Sequence, residues 1–367
     1  MVDLKSLAGA EMVGLRWQLR FDRPCRLESH YVKGLHAWFL HQVQAIDPDV
    51  SAWLHDGQGE KPFTISRLIG PTLWQEGHWH WQINKTYHWQ LNLLSGALIE
   101  ALQPWLARLP NKIVLARQTL WVEAVDCYLA PHNYQQLWPQ GALPRRQEFT
   151  FTSPTSFRRQ GNHYPLPEPR NVLQSYLRRW NDFSGLAFEP EPFLDYWVPQ
   201  NVVIDRHWLE SVKTTAGKQG SVVGFVGAVS LVLTPQARND GDDYGRLFHA
   251  LCRYGPYCGT GHKTTFGLGQ TMAGWATPDL KTFACLQEDL QTQVLTQRID
   301  QCASLLLAQR QRTGGQRAQE ICHTLATIFV RREQGESLQE IALDLQLPYE
   351  TARTYSKRAK RALANVQ

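Results

Sequence analysis

Apolar side chains at every second position, Val13, Leu15, Trp17, Leu19 and Phe21, predict a strand buried on one face near the start of the chain. The period then changes. Leu35, Phe39, Val43 and Ile46 fall on one side of a helix predicted over 29–46. Alternation resumes at Trp79, Trp81 and Ile83 and again at Tyr87, Trp89, Leu91 and Leu93, with Asn84-Lys85 as a tight turn between the two runs. Leu98, Leu102, Trp105 and Leu109 suit a second helix, and residues 120–125 suit a closing strand. The order β-α-β-β-α-β is that of a ferredoxin-like, RRM-type unit.

The same order runs a second time. Phe149 and Phe151 mark a strand, Leu173, Tyr176 and Trp180 a helix after Pro169, and Val202 and Ile204 another strand. Val223, Phe225, Gly227, Val229, Leu231 and Leu233 alternate without a break, and a helix with Leu247, Leu251 and Tyr254 leads through a glycine-rich loop to a last strand near 271–275. From about Asp279 the pattern is helical. Ser337 and Glu340 form a capping box for a short helix carrying Leu338, Ile341 and Leu345. Gln346-Leu347-Pro348 ends it, and 351–363 forms a second helix with Ala352, Tyr355, Ala359 and Leu363 inward. The expected fold is α+β: two tandem ferredoxin-like (RRM-type) domains, 1–140 and 141–278, then an all-helical module with a helix-turn-helix, 279–367.

Composition narrows the possibilities. The 367 residues are 43% hydrophobic, enough for several buried cores, but the longest apolar runs, such as 222–233, are too short and too glycine-broken to span a bilayer. No membrane partner is expected. The opening MVDLKSLAGAEMVG lacks a basic region followed by an apolar one, and seven cysteines at scattered spacing suit reduced thiols, so a cytoplasmic location is expected. A net charge of +5 is mild, but its distribution is uneven. Arg145, Arg146, Arg158, Arg159, Arg170, Arg178 and Arg179 crowd the middle, and from Arg310 onward ten Lys and Arg face six Asp and Glu.

The glycine-rich run GPYCGTGHKTTFGLG, 255–269, carries the strongest chemical signal. Glycine permits positive φ and close backbone approach, so the amides of Gly259, Gly261, Gly267 and Gly269 are expected to converge on an RNA phosphate, with His262 and Lys263 adding charge. A nucleotide-binding P-loop is not expected, because His262 separates Gly261 from Lys263 and the order is helix, loop, strand. A glycine turn without a ligand is the other reading. Arg158, Arg159, Arg178 and Arg179 offer guanidinium forks for a phosphate backbone. His55, expected in a loop past the first helix, suits proton transfer to and from ribose and phosphate oxygens, with Lys61 offsetting phosphorane charge; a surface histidine at a helix end is the alternative. His249, Cys252, Cys258 and His262 depart from the spacing of structural zinc sites, so neither metal nor cofactor is expected. The aromatic run HWHWQINKTYHWQL suits either base stacking or a core strand. Arg353, Lys357 and Arg361, four apart on one helix face, suit DNA, although such a module also serves protein or RNA contacts.

Three stretches, WLHDGQGEKPFTIS, FTSPTSFR with the following RWNDF, and GTGHKTTFGLGQ with its G-x-G-x5-G-x-G spacing, resemble the CRISPR-associated endoribonucleases that cut precursor CRISPR RNA within its repeats, the Cas-six family. The likeness spans about residues 12–276. It implies a pair of ferredoxin-like domains, a repeat stem-loop as the RNA partner with a CRISPR effector complex as the recipient, and a metal-independent cut leaving a 2′,3′-cyclic phosphate and a 5′-OH. His55 matches the family's catalytic histidine and Lys61 its frequent lysine. Members with a His, Lys and Tyr set carry the tyrosine on the first helix, where Leu40 stands here, and His41 or His36 nearby is the substitute. Beyond about residue 277 the chain looks instead like the promoter-reading helix-turn-helix of sigma factors. The function expected is therefore an endoribonuclease, with an inactive RNA-binding relative or a DNA-binding regulator as the alternative.

Overall fold

A computed structural model describes residues 7–27, 31–56, 59–75, 78–215, 221–239, 243–276, 295, 298–309, 315–333 and 335–363. The chain divides into two compact units, Met1–Gln287 and Glu288–Gln367.

The first half of the larger unit runs β1 (Met12–Phe21), β2 (Cys25–Leu27), α1 (Tyr31–Ile46), α2 (Pro48–Asp56), β3 (Phe63–Ile65), β4 (Thr72–Gln75), β5 (His78–Trp81), β6 (Tyr87–Leu93), α3 (Gly96–Ala101), α4 (Gln103–Ala107), β7 (Lys112–Leu115), β8 (Gln118–His132) and α5 (Tyr134–Leu137). Its main sheet has the antiparallel order β3-β6-β1-β8-β7. Alternation buries Leu15, Trp17 and Leu19 of β1 completely, and α1 covers them with Leu35, Phe39 and Val43. Trp17 pairs across the ladder with Trp89, their rings 4.9 Å apart.

Three expectations change here. The runs around Trp81 and Tyr87 are not paired with each other: β5 joins β2 and β4 in a separate three-stranded sheet, while β6 lies between β1 and β3. The second strand of the βαββαβ order is the short, wholly buried Phe63-Thr64-Ile65, whose lack of alternation hid it. Of the two readings of the aromatic run, the core strand is the one that holds for Trp81, Tyr87 and Trp89, which are buried. The helix read through Leu98 and Leu109 is two pieces, because Pro104 at the start of α4 cannot continue α3.

The second half runs β9 (Arg146–Thr155), β10 (Phe157–Arg159), β11 (Asn162–Tyr164), α6 (Pro169–Phe183), α7 (Val198–Asn201), β12 (Val202–Thr215), β13 (Ser221–Leu233), α8 (Pro235–Asn239), α9 (Asp243–Cys258) and β14 (Thr271–Ala273), with sheet order β12-β13-β9-β14. Leu173, Tyr176 and Trp180 of α6 and Leu247, Leu251 and Tyr254 of α9 bury one apolar layer against Phe149, Phe151 and Val229. The halves are joined by more than chain continuity. Asn92 and Thr64 of the first sheet donate to the Tyr257 carbonyl at 2.8 and 3.2 Å, satisfying an acceptor that the end of α9 leaves open.

The smaller unit contains α10 (298–308), α11 (Gln316–Glu333), α12 (Leu338–Asp344) and α13 (Tyr349–Leu363). Ser337 and Glu340 make the expected reciprocal cap on α12. Ala352, Ala359 and Leu363 of α13 are buried, and the last two pack with Cys322, Leu325 and Val330 of α11. The onset of the helical region at Asp279 falls in 277–294, outside the described residues.

Candidate active site

The glycine loop is shorter and more tightly stitched than its sequence suggests. Helix α9 continues to Cys258 with Pro256 inside it, so the loop begins at Gly259. Most of its amides already have acceptors. Gly259 N–H donates to Gly255 O, Thr260 to Gly269 O, Gly261 to Ser175 Oγ, His262 to Ser156 O and Gly269 to Pro154 O, all within 3.1 Å. The expected convergence of the Gly259, Gly261 and Gly269 amides on a phosphate therefore gives way to an internal role. These positions need glycine because the backbone is crowded: with φ of +78° and +68°, a Cβ on Gly261 or Gly269 would stand 2.3 Å from the Ser156 oxygen or 1.9 Å from the Thr260 oxygen. Gly267 closes the other side of the loop against Arg67 and Val32 of the first half.

Arg179 is the central pin of this loop. Its side chain is 5% exposed, and its guanidinium donates to Gly261 O at 3.1 Å, Thr264 Oγ1 at 3.2 Å and Gly259 O at 3.4 Å. The expectation that Arg179 grips a phosphate is corrected on this ground, since its donors are turned inward. Arg178, its neighbour on α6, is exposed and paired with Glu60 at 3.1 Å. Arg158 and Arg159 are exposed on the β10–β11 hairpin, where the Arg159 guanidinium lies over the Tyr164 ring.

His55 lies in the last turn of α2, not in a loop, and is exposed. Lys61 returns to it, Nζ donating to the His55 carbonyl at 3.3 Å. Between them Glu60 binds α6 twice, through its amide to Asp182 Oδ2 at 3.0 Å and through its carboxylate to both arginines. The His55 segment is thereby fastened to the helix that pins the glycine loop.

The second histidine that reaches this region is His36. Its ring stacks on Phe266 at 4.4 Å and 4°, and its Nδ1–H donates to the Thr265 carbonyl at 3.1 Å, since a carbonyl can only accept. Burial, aided by His55, lowers the His36 pKa to about 4. The ring is neutral at pH 7, which leaves Nε2 as an acceptor. His41, five residues on, is exposed on the side of α1 opposite Phe39 and Val43.

Cations gather beside the loop. Lys263, itself at φ +59°, has its pKa lowered by burial and then by Arg158 and Lys33. His262 donates Nδ1–H to Ser156 O at 2.7 Å and stacks on His163; burial takes its pKa down to about 4, with His163, Lys263 and Arg158 adding to the shift. Sequence reasoning missed Lys33 and Glu60. Lys33 stands three residues before His36, hence on a neighbouring part of the same helix face, which is the signal that was available. Arg353, Lys357 and Arg361 belong to the other unit, all exposed on α13.

Residues 149–271 match a family model described as CRISPR-associated endoribonuclease Cas6. A Cas6 endoribonuclease of Mycobacterium tuberculosis is 27% identical over 130 residues, which is 35% of this chain and only 39% of that protein's length. Among solved structures, a Cas6 product complex aligns over 72% of this chain and 99% of its own at 27% identity and a TM-score of 0.53. Thermus thermophilus Cas6 aligns over the same shares at 21% identity and 0.54, a likeness of fold.

Proposed function

The chain belongs to the Cas6 family, and on that premise we propose that it is an endoribonuclease that binds CRISPR repeat RNA and cuts it by attack of a ribose 2′-OH on the adjacent phosphate. The observation that supports this most is that His36 is bonded to the glycine loop and the His55 segment to the helix that pins that loop, with Lys33 and Arg158 close enough to the loop's Lys263 to lower its pKa. In this reading the cations hold the phosphodiester backbone. Their charge is sequence-independent and leaves register to the hairpin's shape.

His55 is the main proton-transfer residue. It is exposed, so it can meet a substrate oxygen, and its carbonyl bond to Lys61 brings an ammonium to the same end of α2. His36, neutral and with Nδ1–H committed to Thr265, presents Nε2 as an acceptor suited to the 2′-proton. His55 then supplies the proton to the departing 5′-oxygen, and Lys61 offsets charge on the phosphorane. The products are a 2′,3′-cyclic phosphate and a 5′-OH. Because the nucleophile is the substrate's own hydroxyl, the step needs no metal-generated hydroxide, and rigid positioning supplies much of the acceleration.

The test is a repeat RNA carrying one 2′-deoxy nucleotide before the scissile phosphate. It should bind like the ribose form and remain uncut, with EDTA without effect on the ribose form, and His55→Ala should slow cutting by about 10²–10⁴-fold. Cleavage of the deoxy substrate would remove this mechanism.

A further inference from the structure

The cationic face of α13 in the smaller unit takes no part in the reading above, and we propose that it docks in the major groove of double-stranded DNA. The helix is held from one side. Ala352, Ala359 and Leu363 are buried, and Tyr355 packs beside them against α11 and α12. At 100° per residue Arg353, Lys357 and Arg361 lie opposite that side and Arg358 and Lys360 flank them, all five exposed. The one carboxylate of α13, Glu350, is in its first turn and forms a loose, exposed pair with Arg353 at 3.5 Å. Five cations against one anion on a single free face are complementary to a polyanion rather than to a mixed protein surface.

The geometry favours duplex DNA over other polyanions. Fifteen residues make a rod roughly 22 Å long and about 10–12 Å across, which a B-form major groove about 12 Å wide admits, whereas the A-form groove of duplex RNA is too narrow and deep. The presentation is rigid. Ser337 and Glu340 cap α12, and Arg331 of α11 is clamped between Glu336 and Asp344, tying α12 to the helix beneath. Gln346, at φ +51°, makes the turn into α13. A short capped helix followed by a tight turn and a longer basic helix sets the second helix proud of its support.

The experiment uses the full chain and a fluorescent 30-base-pair DNA duplex (a length of about three helical turns), read by anisotropy at several salt concentrations with excess uncleavable repeat hairpin present to occupy the proposed RNA site. Saturable binding is expected. In the triple variant R353A/K357A/R361A the dissociation constant should rise at least about tenfold, and the slope of log K against log salt should flatten by about 0.9 for each phosphate that is no longer neutralised. Cutting of repeat RNA by this variant should be unchanged, which also shows that it is folded. The single Lys357→Ala should flatten the same slope by about 0.9, the share of one phosphate. Absence of duplex binding by the wild type, equal binding by the variant, or a loss of RNA cutting instead of DNA binding would each overturn the proposal, the last by assigning the face to RNA.

Discussion

Glu60 and Arg179 meet at 3.1 Å, and through that pair the segment carrying His55 is joined to the carbonyls of Gly259 and Gly261. One partner comes from the first half and the other from the second, so this buried guanidinium is one of the ties that set the His55 segment against the loop, beside the Glu60 amide on Asp182 and Arg178 on the Glu60 carboxylate. Glu60→Gln keeps the shape and removes the charge. Since misplacement of about 1 Å can cost about 100-fold in rate, single-turnover cleavage by this variant should fall by that order while the affinity for repeat hairpin stays within about threefold. Wild-type cleavage would show the strut to be dispensable.

Gly269 and Gly161 separate two kinds of glycine. Both have positive φ, +68° and +81°, but a Cβ at Gly269 would lie 1.9 Å from the Thr260 oxygen, whereas at Gly161 it would meet nothing within 4 Å. Gly161→Ala should therefore cost only the left-handed penalty of about 1–2 kcal/mol, and Gly269→Ala clearly more, because the loop must open. Denaturant unfolding of the two variants reads the difference directly.

Lys33, Arg158 and Lys263 act together on RNA in the proposed function. Replacing any one of them by alanine should weaken hairpin binding across repeat sequences alike and reduce the salt slope by about 0.7–0.9. A filter-binding series over salt checks it; a sequence-selective loss would place the residue at a base instead.

Acid should destabilise the protein in a defined window. His36, His249 and His262 each have a pKa lowered to about 4, with burial as the largest cause. The unfolded chain binds protons on these groups near pH 6.5 while the folded chain does not, so stability rises with pH between the two values. The contribution is complete above about pH 6.5 and is lost as the pH falls toward 4. Thermal unfolding across this range should show the decline, and His262→Asn, whose amide can still donate to Ser156, should flatten it.

Much of the architecture was legible in the residues themselves. Strict alternation marked β1 and β13, a 3.6-residue period marked α1 and α6, and the Ser337–Glu340 spacing marked the start of α12, because each depends only on neighbours along the chain. The motifs around His55 and Gly259 were legible for the same reason. Strand partnership was not: Trp81 and Tyr87 alternate in the same way whichever strand lies beside them, and only the packing of β6 against β1 sends β5 to another sheet. Nor does a sequence tell how an amide or guanidinium is spent. Arg178 and Arg179 are adjacent and chemically identical, yet one faces solvent and the other is buried under the loop, since successive helix positions point 100° apart and the second half closes over only one of them. Local chemistry set the elements and their candidate groups, and long-range burial decided which of those groups remain to meet a substrate.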